Sequence, residues 1–234
     1  MEMLVISVHL PKTAGQTVYA ALRECYGDRL LLDYGDRPVH TERLRRGARV
    51  LTAMAGNVVA FPENVDCVHG HFLPLKYLLL KARRPTCFVM WMRNPVQRLI
   101  SHYQYWLRTP PSSAAEVLHH RMLSERWTLE QFAFCKELRN IYALFLWGFP
   151  IRQFDMIGIV EEFDSEFEWL CRNILEKNVH ERIDEQNVNP EKPFRGSYCV
   201  NPDLEKAIAE YHRRDMQLYE TSLMMRRERL ARGR

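Results

Sequence analysis

Apolar positions along the chain fall into two alternating rhythms. Residues 3–10 form a run rich in Val, Ile and Leu rather than a clean alternation, which predicts a strand buried on both faces, as in a parallel sheet. Residues 15–25 place Val18, Ala21, Leu22 and Cys25 at helical spacing. Residues 27–49 are charged and turn-prone, with Gly27-Asp28, Gly35-Asp36 and Arg37-Pro38, and their pattern selects no element. A short strand is expected over 65–69 and a buried helix over 73–80. Residues 86–91 read as a core strand that runs into a helix, with Asn94 as N-cap and Pro95 at the first helical position. Val96, Leu99, Ile100 and Tyr103 give that helix one apolar face.

A long helical region follows, best patterned over 129–147 and stopped by Gly148-Phe149-Pro150. Another core strand is predicted over 156–160, a helix over 163–179, a loop rich in Asn and Pro over 184–202, and a final helix from Pro202 towards Met225. Strands alternating with helices predict a three-layer, P-loop-like α/β fold whose central parallel sheet has four or five strands flanked by helices. One domain is expected over residues 1–225, followed by a basic tail at 226–234.

Composition narrows the classes. With 47% hydrophobic residues and 11% aromatics, the chain of 234 residues has enough apolar surface for a sizeable core. The net charge of +4 resides in the last nine residues, which hold five arginines and one glutamate, so the preceding residues are formally neutral. No zinc-finger spacing or aromatic-interleaved basic strip accompanies it, and nucleic acid is not an expected partner. Six scattered cysteines without a CxxC pair read as reduced thiols. Nothing before the first strand reads as a signal peptide, and no apolar run reaches the roughly eighteen residues of a membrane span. The chain is therefore expected to be cytoplasmic, with the arginine tail able to meet an anionic membrane surface peripherally. Oligomeric state is not readable.

Three segments carry chemistry. Leu10-Pro11-Lys12-Thr13-Ala14-Gly15-Gln16-Thr17 lies between the first strand and the first helix, where free N–H groups and a lysine make an anion grip. Lys12 would cover the anion, with backbone N–H groups of Thr13, Ala14, Gly15, Gln16 and Thr17 and the hydroxyls of Thr13 and Thr17 around it. It is not a Walker motif, because the lysine precedes the glycine. Arg93 is expected at the carboxyl end of a central strand, where open parallel sheets bind ligands, and Ser101 about two turns into the next helix. His69-Gly70-His71 is the third segment, open to three readings: a general base, a structural pair or a metal site that lacks an evident third ligand.

Together these residues resemble the sulfotransferases that use 3'-phosphoadenosine 5'-phosphosulfate. Pro11-Lys12-Thr13-Ala14-Gly15 is similar to their 5'-phosphosulfate loop. Arg93-Asn94-Pro95, with Ser101 eight residues after the arginine, is similar to their 3'-phosphate motif. His69-Gly70-His71 resembles the segment of the carbohydrate branch, especially the heparan sulfate and uronyl 2-O-sulfotransferases, in which the second histidine is the base. Looser likenesses are Gly158–Phe163, Asn187-Val188-Asn189, the basic loop Arg195-Gly196-Ser197 and Asp215-Met216-Gln217-Leu218-Tyr219. Gln16 departs from the small hydroxyl residue usual at its position.

The resemblance implies direct sulfuryl transfer to a hydroxyl of a small molecule, oligosaccharide or glycolipid, leaving adenosine 3',5'-bisphosphate. His71 would be the base, Lys12 would stabilise the leaving group, and Arg93, Ser101 and Arg195 would hold the 3'-phosphate. His69 would orient the base or touch the acceptor, and no metal is required. Two other classes compete: an ATP-dependent small-molecule kinase, which would want a carboxylate for magnesium, and a non-catalytic module that binds polyanions through the arginine tail.

Overall fold

A computed structural model describes residues 3–36, 38–39, 41–113, 116–176 and 197–232. Five parallel strands form one sheet: β1 (Leu4–Val8), β2 (Leu30–Leu32), β3 (Cys67–Gly70), β4 (Thr86–Met92) and β5 (Met156–Ile159), in the spatial order β2-β3-β1-β4-β5. β1 lies between β3 and β4, in a register that sets Ser7 opposite both His69 and Val89. All five residues of β1 are buried, as its unbroken apolar run requires.

The period of two divides the core. Leu4, Ile6 and Val8 point to one face, with Val68, Phe88, Met90 and Ile157. Val5, with Cys67, Val89 and Trp91, points to the other. The second face is covered by α1 (Gly15–Tyr26), through Val18 and Leu22, and by α7 (Phe163–Asn173), through Phe167 and Leu170. The first is covered by the 3₁₀ turns Pro74–Ala82 and by α2 (Arg43–Ala60), α3 (Pro95–Arg108), α4 (Val117–Ser124), α5 (Leu129–Ala133), α6 (Ile141–Phe145), α8 (Pro202–Tyr211) and α9 (Arg213–Ala231). Helices on both faces of a five-stranded parallel sheet complete a three-layer α/β/α arrangement.

Several elements differ from their sequence patterns for local reasons. The patternless stretch after Gly27 contains the edge strand β2 and the first part of α2, whose inward residues are Arg46, Gly47 and Val50. Arg46 donates to the carbonyls of Pro38 (2.9 Å) and Thr41 (3.0 Å), so a polar side chain does work that an apolar one would have signalled. The continuous helix expected over 129–147 is broken into α5 and α6, with Asn140 in the left-handed conformation (φ 55°) between them. The final helix likewise divides at His212, whose ring donates to the Ala133 carbonyl and accepts from the Asn140 N–H.

The arginine-rich segment read as a tail continues α9 as far as Ala231. Within it, Arg226 reaches the carboxylate of Glu166 at 2.7 Å, and Arg229 bonds the other oxygen of the same buried carboxylate. The loop motif at 187–189, Arg195 and the last two residues lie outside the described residues. No helix among the described residues is long and apolar enough to cross a membrane.

Candidate active site

The site lies at the carboxyl ends of β1, β3 and β4, from which the chain leads to Lys12, His71 and Arg93. The connection leaving β1 passes to the β2 side and the one leaving β4 to β5, so the crevice between β1 and β4 is the topological switch point of the sheet.

The loop after β1 departs from ordinary backbone geometry and leaves helix-terminal donors free. Lys12 (φ 67°) and Ala14 (φ 61°) are non-glycine residues in the left-handed region, a strain of about 1–3 kcal/mol each that concentrates at functional sites. Ala14 is the N-cap of α1 and offers no side-chain cap, and the first helical bond runs from the Val18 N–H to the Ala14 carbonyl. The N–H groups at the start of α1 thus lack intrahelical partners, and the helix dipole adds to their pull on negative charge. Thr17 is buried at this end of α1, whereas Gln16 is exposed. Thr13 departs from expectation: its buried hydroxyl donates to the Leu10 carbonyl at 2.9 Å and braces the turn, leaving only its lone pairs outward.

Lys12 Nζ lies 4.0 Å from the centre of the Tyr105 ring. Burial lowers its pKa to about 8, with further lowering by Arg108 and then Arg93. Lys12, Arg93 and Arg108 thus lie near enough to one another for their charges to interact, with Glu161 acting on Arg93.

Arg93 follows β4 directly, and its backbone is gripped on both sides by one hydroxyl. Tyr142 OH accepts from the Arg93 N–H (3.0 Å) and donates to the Arg93 carbonyl (2.6 Å). Tyr142 is itself held at the start of α6, where the buried carboxylate of Asp215 accepts from the N–H groups of Tyr142 and Ala143, both at 3.0 Å. Burial pushes Asp215 up to about 6, against the pull of those N–H groups and of Arg98. The Arg93 guanidinium lies 5.6 Å from the Tyr198 ring, which Gln97 holds by two backbone hydrogen bonds. Asn94 caps α3 through Val96 and Gln97 as its sequence predicts, and its own N–H goes to Glu161 (2.9 Å). Ser101 is buried on α3.

The histidines obey the period of two. Ser7 and His9 follow Val5 on one face of β1 and its extension, and His69 and His71 do the same on β3. Ser7 Oγ and His69 Nδ1 pair at 3.0 Å across the two strands. His69 is 1% exposed, and burial lowers its pKa to about 3. His71 stands just past the strand, with its ring 4.3 Å from that of His9. His71 Nδ1 bonds the His9 carbonyl; a carbonyl only accepts, so Nδ1 carries the proton and Nε2 keeps its lone pair. Burial holds the His71 pKa below 6.5, against the effect of that bond. This is the condition of a neutral general base.

The sequence reading missed His9, Tyr34 and Arg108. His9 was legible as the next outward position after Ser7, although it lies beyond the end of the strand proper. Its ring passes so close over the start of α1 that a Cβ on Gly15 would lie 1.8 Å from His9 Nε2. Gly15→Ala is therefore expected to displace His9 and to destabilise the fold by about 1–3 kcal/mol. A thermal melt checks this, and an unchanged melting temperature would show that the ring yields freely. The aromatic run on α3 divides its duties: Tyr103 bonds the Trp127 carbonyl, Trp106 stacks on His119, and Tyr105 alone meets Lys12. His102 packs between Trp106 and Phe132. No group of three or more His, Cys, Asp or Glu residues among those described could hold a metal ion.

Comparison with solved structures finds approximate likenesses. The chain is similar to a sulfotransferase from Alicyclobacillus acidocaldarius, with 13% identity, 94% of this chain and 95% of that one covered, and a TM-score of 0.48. It is also similar to mouse sulfotransferase SULT7A1 complexed with PAP, with 11% identity, coverage of 98% and 88%, and a TM-score of 0.46. No family model matches the chain, and no curated protein matches it.

Proposed function

We propose that the protein is a sulfotransferase of the carbohydrate branch, moving a sulfuryl group from 3'-phosphoadenosine 5'-phosphosulfate to a hydroxyl of a carbohydrate or glycolipid. The observation that carries this reading is one arrangement at the switch point of the sheet: two anion-binding elements, at Lys12 and Arg93, beside an imidazole whose tautomer leaves Nε2 as the acceptor. The residues present fit a nucleotide with phosphates at both ends of its ribose. When bound, that nucleotide supplies the sulfuryl group.

The N–H groups at the start of α1 and the Lys12 ammonium, protonated at pH 7 with its pKa about 8, receive the 5' end. Arg93 and Ser101 receive the 3'-phosphate, with the Arg93 backbone immobilised by Tyr142. His71 takes the acceptor proton at Nε2, and Lys12 stabilises charge on the departing oxygen. His69, buried and bonded to Ser7, stacks on the His9 ring that in turn lies against His71, and so would help to orient the base.

Arg93→Ala is expected to weaken binding of adenosine 3',5'-bisphosphate by about 10–100-fold, the worth of a charge-assisted hydrogen bond. Isothermal calorimetry checks this, and unchanged affinity argues against the clamp. The reaction itself is tested by transfer of labelled sulfuryl from the cofactor to a panel of sugar and glycolipid hydroxyls. Magnesium-dependent release of ADP from ATP, with no sulfuryl transfer, would favour a kinase instead.

A further inference from the structure

A charged network outside the site has no part in holding an anion. Lys76, 7% exposed, lies in the 3₁₀ turns after β3 and pairs with Asp33 at 2.5 Å and Asp36 at 2.9 Å. Asp33 Oδ2 also accepts from the Tyr77 hydroxyl (2.7 Å), and Asp36 Oδ2 from the Leu73 N–H (2.8 Å). The Asp33 N–H donates to the His69 carbonyl at 2.9 Å. Gly70 admits the loop: a Cβ there would lie 1.9 Å from the Asp33 carbonyl oxygen, at a φ of +156°. Withdrawing a cation and two carboxylates from water costs several kcal/mol, and such groups are better explained by the geometry they specify than by net stability.

What the network specifies is the place of Tyr34. Its ring lies 5.0 Å from the His71 ring at 90° and 6.3 Å from the His9 ring at 86°, and its hydroxyl is 3.4 Å from His9 Nδ1. Tyr34 is 42% exposed, so the core does not demand it. We propose that Tyr34 is a positioning residue for the base: its ring walls the His71 imidazole from water on the β2 side and holds the ring plane while Nδ1 stays on the His9 carbonyl. The inference rests on His71 being the base.

Among the described residues, the groups packed on or coupled to His71 are His9 from the extension of β1, Tyr34 from the loop after β2, His69 from β3 and His102 from α3, with the Phe145 ring of α6 beside it; Lys12 acts on His9 and His102. Burial is the cause that keeps His71 below its ordinary value, and a ring at this distance supplies part of that burial.

The test is the titration and tautomer of His71 in the full chain, read by histidine-selective NMR without nucleotide. In Tyr34→Ala the His71 pKa is expected to rise towards 6.5, with the Nδ1–H tautomer losing its dominance. In Tyr34→Phe, which keeps the ring, both should stay as in the parent protein. An unchanged titration in Tyr34→Ala overturns the proposal, as does an equal shift in Tyr34→Phe, which would make the hydroxyl the agent. Affinity for adenosine 3',5'-bisphosphate is measured in parallel and should be the same in all three proteins. Failure of the parent protein to bind it counts against the sulfuryl-transfer reading and not against the role of Tyr34.

Discussion

Replacing His71 with alanine is expected to slow sulfuryl transfer by about 10²–10⁴-fold while leaving the affinity for adenosine 3',5'-bisphosphate within about twofold, the signature of a general base. No neighbour can stand in for it. His69 is buried and bonded to Ser7, and its pKa, held down to about 3, makes it a poor proton acceptor. His9 is covered by the start of α1, and burial keeps its pKa well below 6.5. The pH profile gives an independent reading. In the parent protein kcat/KM should fall on the acid side as His71 becomes protonated below pH 6.5, and on the alkaline side near pH 8 as Lys12 loses its proton. In His71→Ala the acid limb should disappear while the alkaline limb remains. Wild-type turnover in that variant would overturn the assignment.

Acid should unfold the protein unusually early. His9, His69, His71, His102 and His212 all have folded pKa values lowered by burial, His69 to about 3 and His212 to about 4. A lowered imidazole pKa means that the unfolded chain binds protons the folded one refuses. Stability is therefore full above pH 6.5 and is lost as pH falls through 6.5 towards the folded values, by up to about 1.4 kcal/mol per pH unit for each such group. Asp215 opposes this, because its pKa is raised to about 6 and its buried carboxylate is relieved by taking a proton. The imidazoles outnumber it, so a net loss of stability is expected between pH 7 and 5. Urea midpoints at the two pH values measure it; equal midpoints would show that these rings are solvated.

The strands and the first turn of α3 were legible because each carried its own signal. The apolar runs at β1, β4 and β5 needed no partner to be recognised, and Asn94-Pro95 marked a helix start that the Asn94 cap confirms. The lysine loop and Arg93 followed from strand-to-helix junctions, which put them on one edge of the sheet; the strand order that makes the gap between β1 and β4 a switch point carried no sequence signal. α2 was illegible because its inward face includes Arg46 and Gly47, whose roles depend on carbonyls and on Trp147 far along the chain. The break between α5 and α6 depends on His212, some seventy residues later. Tyr34 was hidden for the same reason, since it acquires meaning only when Lys76 pulls a distant loop inward, whereas His9 continues the period of β1 beyond Ser7 and could have been read.

Asp215 ties distant parts of the chain to one fixed point. Its carboxylate on α9 accepts from the N–H groups of Tyr142 and Ala143, and the Tyr142 hydroxyl holds the Arg93 backbone on both sides. The conformation of the residue that leaves β4 is therefore set by a helix far along the chain, so β4 and α3 do not fix Arg93 until α9 has docked against α6.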